Sequence, residues 1–563
     1  MDRENRYFGY FDYAVFTGML IVSAAVGVYH SGDQKTASDM LTGSRTMGVI
    51  PVAISIVASF LSSISLLGLP SESYKYGTQL FVASIITQPI SVLIAAKYFV
   101  PVFYNLGVTS SYELFYMGVA LYGPALALSQ VTGMDKWWAV FTTGCVCTFY
   151  TTIGGMKAVV WSDVFQSMIL LAALFAVLID GYFLPGGWKS VWRDNYQTGR
   201  IEAFNLDPGP FVRHTFTTVF IGSLLGHILH YGTNQSLIQR YLSLPSLKKA
   251  KRTLWVVVPL KFFVYGLIAA AGLVVAAKYL YCDPLSTKRI ESADQILPLF
   301  VMDTLGTFHG VPGLFVTGVF SGSLSVISAG INSMTAVLLE DIVKTHFKPE
   351  ISENESTLFI KISSLIFGVL TLAGTVIASR MGNVIQASST VFSLLGSPIA
   401  GVFILGLFFP SANEKGALIG ASTGFLLNLW LGIGTYIYQP TYPTKLLTVE
   451  GCVEFYERRT GLLFNYTQVV NRNVEILNEL YEIPPFYRIS YLYFSVIGIL
   501  VTVVVGVISS SYFGNSHLEA INPLVFAPFI QKRLKNGKKY EVIKYKQLKT
   551  EDDNCTNSMS TLK

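Results

Sequence analysis

Apolar residues run through this chain in blocks close to the roughly 20 residues a helix needs to cross a bilayer, divided by polar linkers. Thirteen spans are predicted, over residues 11–29, 48–68, 79–104, 114–131, 137–154, 158–182, 214–235, 254–277, 312–338, 357–379, 384–409, 415–437 and 489–510. The first is preceded by as many acids as bases and is long enough to span, so it reads as a span and not as a cleavable signal peptide. Two blocks depart from plain apolarity. Span two carries Ser59, Ser62, Ser63 and Ser65, and span nine reads Ser321-Gly322-Ser323-Leu324-Ser325-Val326-Ile327-Ser328-Ala329-Gly330 before Asn332-Ser333. Such weak helix formers at mid-membrane suit broken helices whose freed backbone oxygens line a transport site. Close helix packing through small residues is the alternative for either span alone.

Composition narrows the class. Of 563 residues, 52% are hydrophobic and 13% charged, about half the ~25% charged fraction of a soluble domain. A soluble enzyme, a disordered chain and a nucleic-acid binder fit poorly. The sequence is read as an all-α polytopic membrane protein. No metal-ligand cluster, phosphate-binding loop or nucleophile–base pair is found in it, so neither an enzyme nor an organic cofactor is implied.

Charge sets the predicted orientation. Arg240, Lys248, Lys249, Lys251 and Arg252 follow span seven, and eight Lys/Arg lie between Lys532 and Lys549 against Glu541 alone. Both segments follow odd-numbered spans, which places them in the cytoplasm and the N-terminus outside. The basic tail is read as an anchor to anionic lipid. The sequon at Asn465 then falls outside and that at Asn354 inside, where it is silent. Cys282 and Cys452 lie in external linkers and are candidates for a disulfide, whereas Cys145, Cys147 and Cys555 are read as reduced. Residues 1–46 hold the outer N-terminus, first span and a linker; 47–182 hold spans two to six. An external linker covers 183–213, spans seven to eleven cover 214–410, the last two spans with a glycosylated linker cover 411–512, and the tail covers 513–563.

Buried polar groups give further candidates. Asp163 shares a helix face with Gln166, and an intramembrane carboxylate is a functional hypothesis by default. His227 and His230 are read as hydrogen-bonding neighbouring helices, Lys261 as snorkelling to the inner interface, and Pro124 as kinking span four beside Tyr122.

Several motifs resemble the sodium/solute symporter family. They are Ser59-Phe60-Leu61-Ser62-Ser63 with Leu67 to Gly77, the run from Thr148 to Gln166 through Gly154-Gly155-Met156-Lys157, Asn234-Gln235 with Gln239-Arg240-Tyr241-Leu242, and Glu414-Lys415-Gly416-Ala417-Leu418-Ile419-Gly420. The resemblance covers about residues 9 to 525 and is nearest to the branch of multivitamin, monocarboxylate and iodide transporters. It implies a LeuT-type core of two inverted five-helix repeats, spans two to six and seven to eleven. It implies a sodium site of Ala58 and Leu61 carbonyls with Gly322 and Ser325, and a substrate and coupling cavity at Ser59, Phe60, Ser62, Ser65, Tyr122, Ile399 and Phe403. Asp163, with Gln166 beside it, would line the sodium exit. The implied activity is sodium-coupled import of a small organic anion, a monocarboxylate or a carboxylate vitamin such as biotin or pantothenate, across the plasma membrane.

Two departures from the family pattern stand out. Val326 replaces a second hydroxyl in span nine, and an isopropyl group cannot ligate sodium. About twenty residues that relatives carry before Leu114 are missing. Both keep open a sodium-independent facilitator or a non-transporting sensor.

Overall fold

The computed structural model describes residues 8–31, 36–106, 113–133, 135–202, 204–378, 384–454, 457, 461, 463, 479–514 and 525–536. Asn465, Cys555, Tyr112 and the tail beyond residue 536 fall outside them.

The helices that build the core are α1 (Tyr10–Ser31), α2 (Val49–Phe60), α3 (Ser63–Tyr76), α4 (Gln79–Ile94), α5 (Glu113–Thr132), α6 (Lys136–Phe183), α7 (Phe216–Thr233), α8 (Gln235–Leu242), α9 (Leu247–Lys278) and α10 (Val311–Val337). They are followed by α11 (Glu353–Ala378), α12 (Val384–Phe408), α13 (Glu414–Tyr438) and α14 (Tyr493–Phe513). Among the described residues, nine helical segments are long and apolar enough to cross a membrane, and the bent pair α2–α3 makes ten. One 48-residue helix, α6, covers two of the thirteen expected spans. They join at Gly155, whose φ of 55° and ψ of −156° turn the chain between them, a conformation glycine adopts without a Cβ clash. Helices α5 and α7 occupy the fourth and seventh expected places.

The bundle is organised around α10, the most enclosed of the long helices. It packs along α6 and α5 and crosses α1, α2 and α3. The Tyr150 hydroxyl donates to the Leu324 carbonyl at 3.1 Å, fixing α6 to α10. Helix α9 begins seven residues before the sequence pattern suggests, because the Ser246 hydroxyl caps its first turn through the Lys249 amide. The charged run read as linker is thus its first turns, and Lys261 falls near the middle of a 32-residue helix.

Candidate functional site

Between α2 and α3 the helix stops for two residues. Leu61 (φ −92°, ψ 52°) and Ser62 (φ −70°, ψ 166°) leave the helical region, and the two halves meet at 55°. The serines of this segment compete with the backbone for hydrogen bonds, which weakens the helix there. Ser59 donates to the Ser55 carbonyl at 3.1 Å. The Phe60 carbonyl, released from its helical partner, accepts from Ser65 at 2.7 Å and from the Tyr265 hydroxyl at 3.1 Å. On the facing helix α5, Pro124 has no N–H to offer the carbonyl of Ala120. That oxygen accepts instead from Ser63 of α3 at 2.8 Å and Ser323 of α10 at 2.7 Å. One proline thereby ties three helices together around the break.

Helix α10 passes hard against it. A Cβ on Gly322 would lie 2.2 Å from the Leu61 carbonyl oxygen, so only glycine leaves this contact open. Ser325, a turn along, is fully buried, and its hydroxyl has no partner of hydrogen-bond geometry although it lies beside the Asp163 carboxylate. The Ser62 hydroxyl is likewise buried without a partner. Unsatisfied oxygens of this kind are costly inside a protein. With the Leu61 carbonyl, which Gly322 approaches, these hydroxyls give the region of the break buried oxygens of the kind a hard cation binds. Val326 turns elsewhere, into an apolar cluster with Ile64, Ala120, Tyr122, Ile385 and Tyr491.

A turn below the break, Asp163 and Arg240 form a wholly buried ion pair at 2.9 Å. Ser55 donates to the same carboxylate oxygen and accepts from Arg240 Nε at 2.7 Å, while Arg240 Nη1 donates to the Ser236 carbonyl. Asp163 Oδ1 keeps no hydrogen-bond partner. Arg240, counted from sequence among the cytoplasmic surface charges, is therefore internal; the exposed ones are Lys248, Lys249 and Arg252. Gln166 faces α1, donating to Ser23 at 3.2 Å.

Beside the break lies a cavity of about 250 Å³ between α3, α4, α7, α9, α12 and α14. Phe60 and Ser65 of the expected substrate set line it. Ser59 and Ser62 stay at the break, and Tyr122 lies in the apolar layer behind Ile64 and Ile385. Helix α12 reaches the cavity through Ile385, Ser388, Ser389, Phe392 and Ser393. Ile399 and Phe403 sit farther along it, packed beside Leu229 and Ile499 and against the Phe103 ring respectively.

The sequence reading missed the cavity's main charge. Lys261, expected at the inner interface, is 1% exposed and lines this cavity. Its Nζ sits 3.6 Å above the Phe60 ring centroid, 5.0 Å from that of Tyr265 and 5.5 Å from that of Tyr231. No carboxylate among the described residues pairs with it. A desolvated cation–π contact is worth about 2 kcal/mol, whereas an ion taken from water costs several. An anion beside Nζ would add to what these aromatic faces supply and favour the charged form of the amine. His227 and His230 share the same wall, His230 with its ring 4.5 Å from Phe60.

On the side opposite the Asp163–Arg240 pair, Cys282 and Cys452 are bonded, with their Cα atoms 5.4 Å apart. The Tyr74 hydroxyl at the end of α3 donates to Asp283, next to this bridge, at 2.6 Å.

A helical bundle with a broken helix, oxygen donors at the break and a charged cavity beside it is the architecture of a membrane transporter. The model of the sodium:solute symporter family matches residues 40–115 and 111–424, and the chain belongs to that family. The match breaks and resumes where the sequence reading places the missing segment. Human sodium-coupled monocarboxylate transporter 1 is 38% identical over 579 residues, covering 97% of this chain and 94% of the relative. The human sodium/iodide cotransporter is 36% identical over 555 residues, covering 92% and 86%. The fold matches that of a Na+-coupled sialic acid symporter solved in a substrate-bound, outward-open state, with TM-score 0.71 and 23% identity over 90% of this chain and 99% of that one. These relatives are transporters, not enzymes.

Proposed function

We propose that this chain imports a small monocarboxylate together with sodium by alternating access. The observation that carries the reading is Lys261, a buried ammonium without an acidic partner in a cavity that adjoins the helix break. A carboxylate entering there meets the one charge its own burial requires. Phe60 touches the ammonium and directly precedes Leu61, so the substrate site and the candidate sodium ligands share a stretch of chain. Sodium held by the Ala58 and Leu61 carbonyls, Gly322 and Ser325 would favour the state in which this break is formed, a shift that needs different affinities for the two states. A volume of about 250 Å³ lies below the roughly 300–1,000 Å³ of sites for drug-sized ligands, which favours lactate or nicotinate over biotin and pantothenate. The relatives named for monocarboxylates support the same class.

The reading includes an outward N-terminus and plasma-membrane location, supported by the exposed Lys248, Lys249 and Arg252 on one side of the bundle and the disulfide on the other. It also includes two inverted repeats, the broken α2–α3 belonging to the first and α10 to the second. A facilitator indifferent to sodium is the second reading, favoured by the seat of Val326 in apolar surroundings.

Uptake of labelled lactate, nicotinate, biotin and pantothenate in sodium and in choline buffer, with surface labelling in parallel, tests this. Sodium-stimulated uptake of lactate or nicotinate is expected. Equal saturable uptake in both buffers would replace the symporter with the facilitator.

A further inference from the structure

A second cavity of about 250 Å³ lies beyond the transport cavity, on the disulfide side of the bundle, between the segment before α7 and the segments around Tyr442 and Arg488. Its cations are unequally matched. Arg213 is held by both oxygens of Glu72, at 2.6 and 3.1 Å, and Lys445 pairs with Glu202 at 2.9 Å. Arg488 has no carboxylate partner among the described residues. Its guanidinium lies 5.1 Å from the Phe211 ring centroid and 5.3 Å from that of Tyr481, and its Nε is buried without a hydrogen-bond partner. The nearby Tyr442 does not offset it. Burial pushes that phenol up to about 12, so it stays protonated and donates to the Arg488 carbonyl at 3.1 Å.

The wall between the two cavities is thin. Tyr491 lines the transport cavity and His214 the outer one, and the Tyr491 hydroxyl meets His214 Nε2 at 3.1 Å. Arg213 stacks against the same septum, 4.5 Å from the Tyr76 ring centroid and 5.0 Å from that of Tyr491. An anion in the outer cavity is thus two side chains away from the space that holds Lys261.

We propose that the outer cavity is a second anion site, in which Arg488 captures the substrate's carboxylate before the Tyr491–His214 septum opens to the transport cavity. The identity of the anion rests on the carboxylate reading of Lys261. The geometry at Arg488 suits any small monovalent anion, chloride included, and the test separates the two.

Tyr481, 72% exposed with its ring over Arg488, is the place for a reporter. In Tyr481→Cys, a sulfonate-bearing methanethiosulfonate reagent is expected to react roughly tenfold faster than a trimethylammonium one, as a local positive field raises anion encounter rates. Adding Arg488→Gln abolishes the preference. Lactate slows the sulfonate reagent in Tyr481→Cys and not in the double variant. Equal rates for the two reagents, or a preference that survives Arg488→Gln, overturns the site. Protection by chloride but not by lactate overturns the capture role. Lactate protection in a chain that transports no lactate upholds the site and sinks the transport reading instead. In uptake assays Arg488→Gln raises KM several-fold with the maximal rate unchanged, and Arg488→Lys restores it in part. An unchanged KM at matched surface level contradicts capture.

Discussion

The ammonium of Lys261 lies 3.6 Å above the ring of Phe60, one residue before the break at Leu61. Through this contact, whatever neutralises the lysine also bears on the segment that presents the candidate sodium ligands. Phe60 is held from its other end as well, since its carbonyl accepts from Ser65 and Tyr265. Coupling between anion and cation therefore has a short physical route.

Ser325 provides the buried, unsatisfied hydroxyl at the break. Ser325→Ala is expected to raise the half-saturating sodium concentration about tenfold, the loss of one contact to a charged group, with surface level retained. A sodium titration of lactate uptake measures it. An unchanged titration removes Ser325 from the site.

Val326 packs among Ile64, Tyr122 and Ile385, so this chain has one hydroxyl where the family pattern has two. Because the side chain at 326 faces this apolar layer and not the break, Val326→Thr is expected to leave the half-saturating sodium concentration unchanged, at some cost in stability because a hydroxyl enters an apolar cluster. The same titration, with thermal stability of the purified protein alongside, checks both parts.

Asp163 and Arg240 compensate each other with neither exposed to solvent. Removing one partner of such a pair costs about 3–5 kcal/mol. Asp163→Asn or Arg240→Gln alone is therefore expected to be retained inside the cell, and the double variant to reach the surface better than either. Surface biotinylation gives the comparison; a double variant as poor as the singles would show that the pair's energetics are not what matters.

The Cys282–Cys452 bridge spans 170 residues and fastens the segment bearing Tyr442 and Lys445 to the loop after α9. Loss of a disulfide over a long loop typically costs about 2–5 kcal/mol. Cys282→Ser and Cys452→Ser should lower surface expression equally, and the double variant no further. A double variant clearly worse than both would mean that the two thiols have separate roles.

What the sequence revealed, and what it hid, follows from how far each constraint reaches. The bilayer imposes apolar runs of fixed length, so the helices were visible, and the crowded serines marked the break at Leu61–Ser62 because their hydroxyls act on the nearby backbone. Asp163 announced itself by its cost. Its partner did not, because Arg240 lies 77 positions away and looks like one more basic residue in a cytoplasmic linker. Lys261 is hidden for a local reason: the run from Lys248 to Arg252 has the composition of a linker, whereas Ser246 starts the helix before it, carrying the lysine to mid-helix. Tyr265 stands one turn from Lys261 on the same helix, but the serines of α12 that line the cavity, and the Phe60 and Tyr231 rings beside Lys261, come from helices brought together only by the tertiary fold.

Lys261 as counter-charge to the substrate is the centre of this account. The most direct measurement is sodium-dependent uptake of radiolabelled lactate by the native chain, Lys261→Arg and Lys261→Met at matched surface levels. The account predicts that Lys261→Met raises KM by a factor of roughly 10 to 100, as a lost charge-assisted contact would, while Lys261→Arg keeps measurable uptake. Uptake by Lys261→Met with an unaltered KM would contradict it.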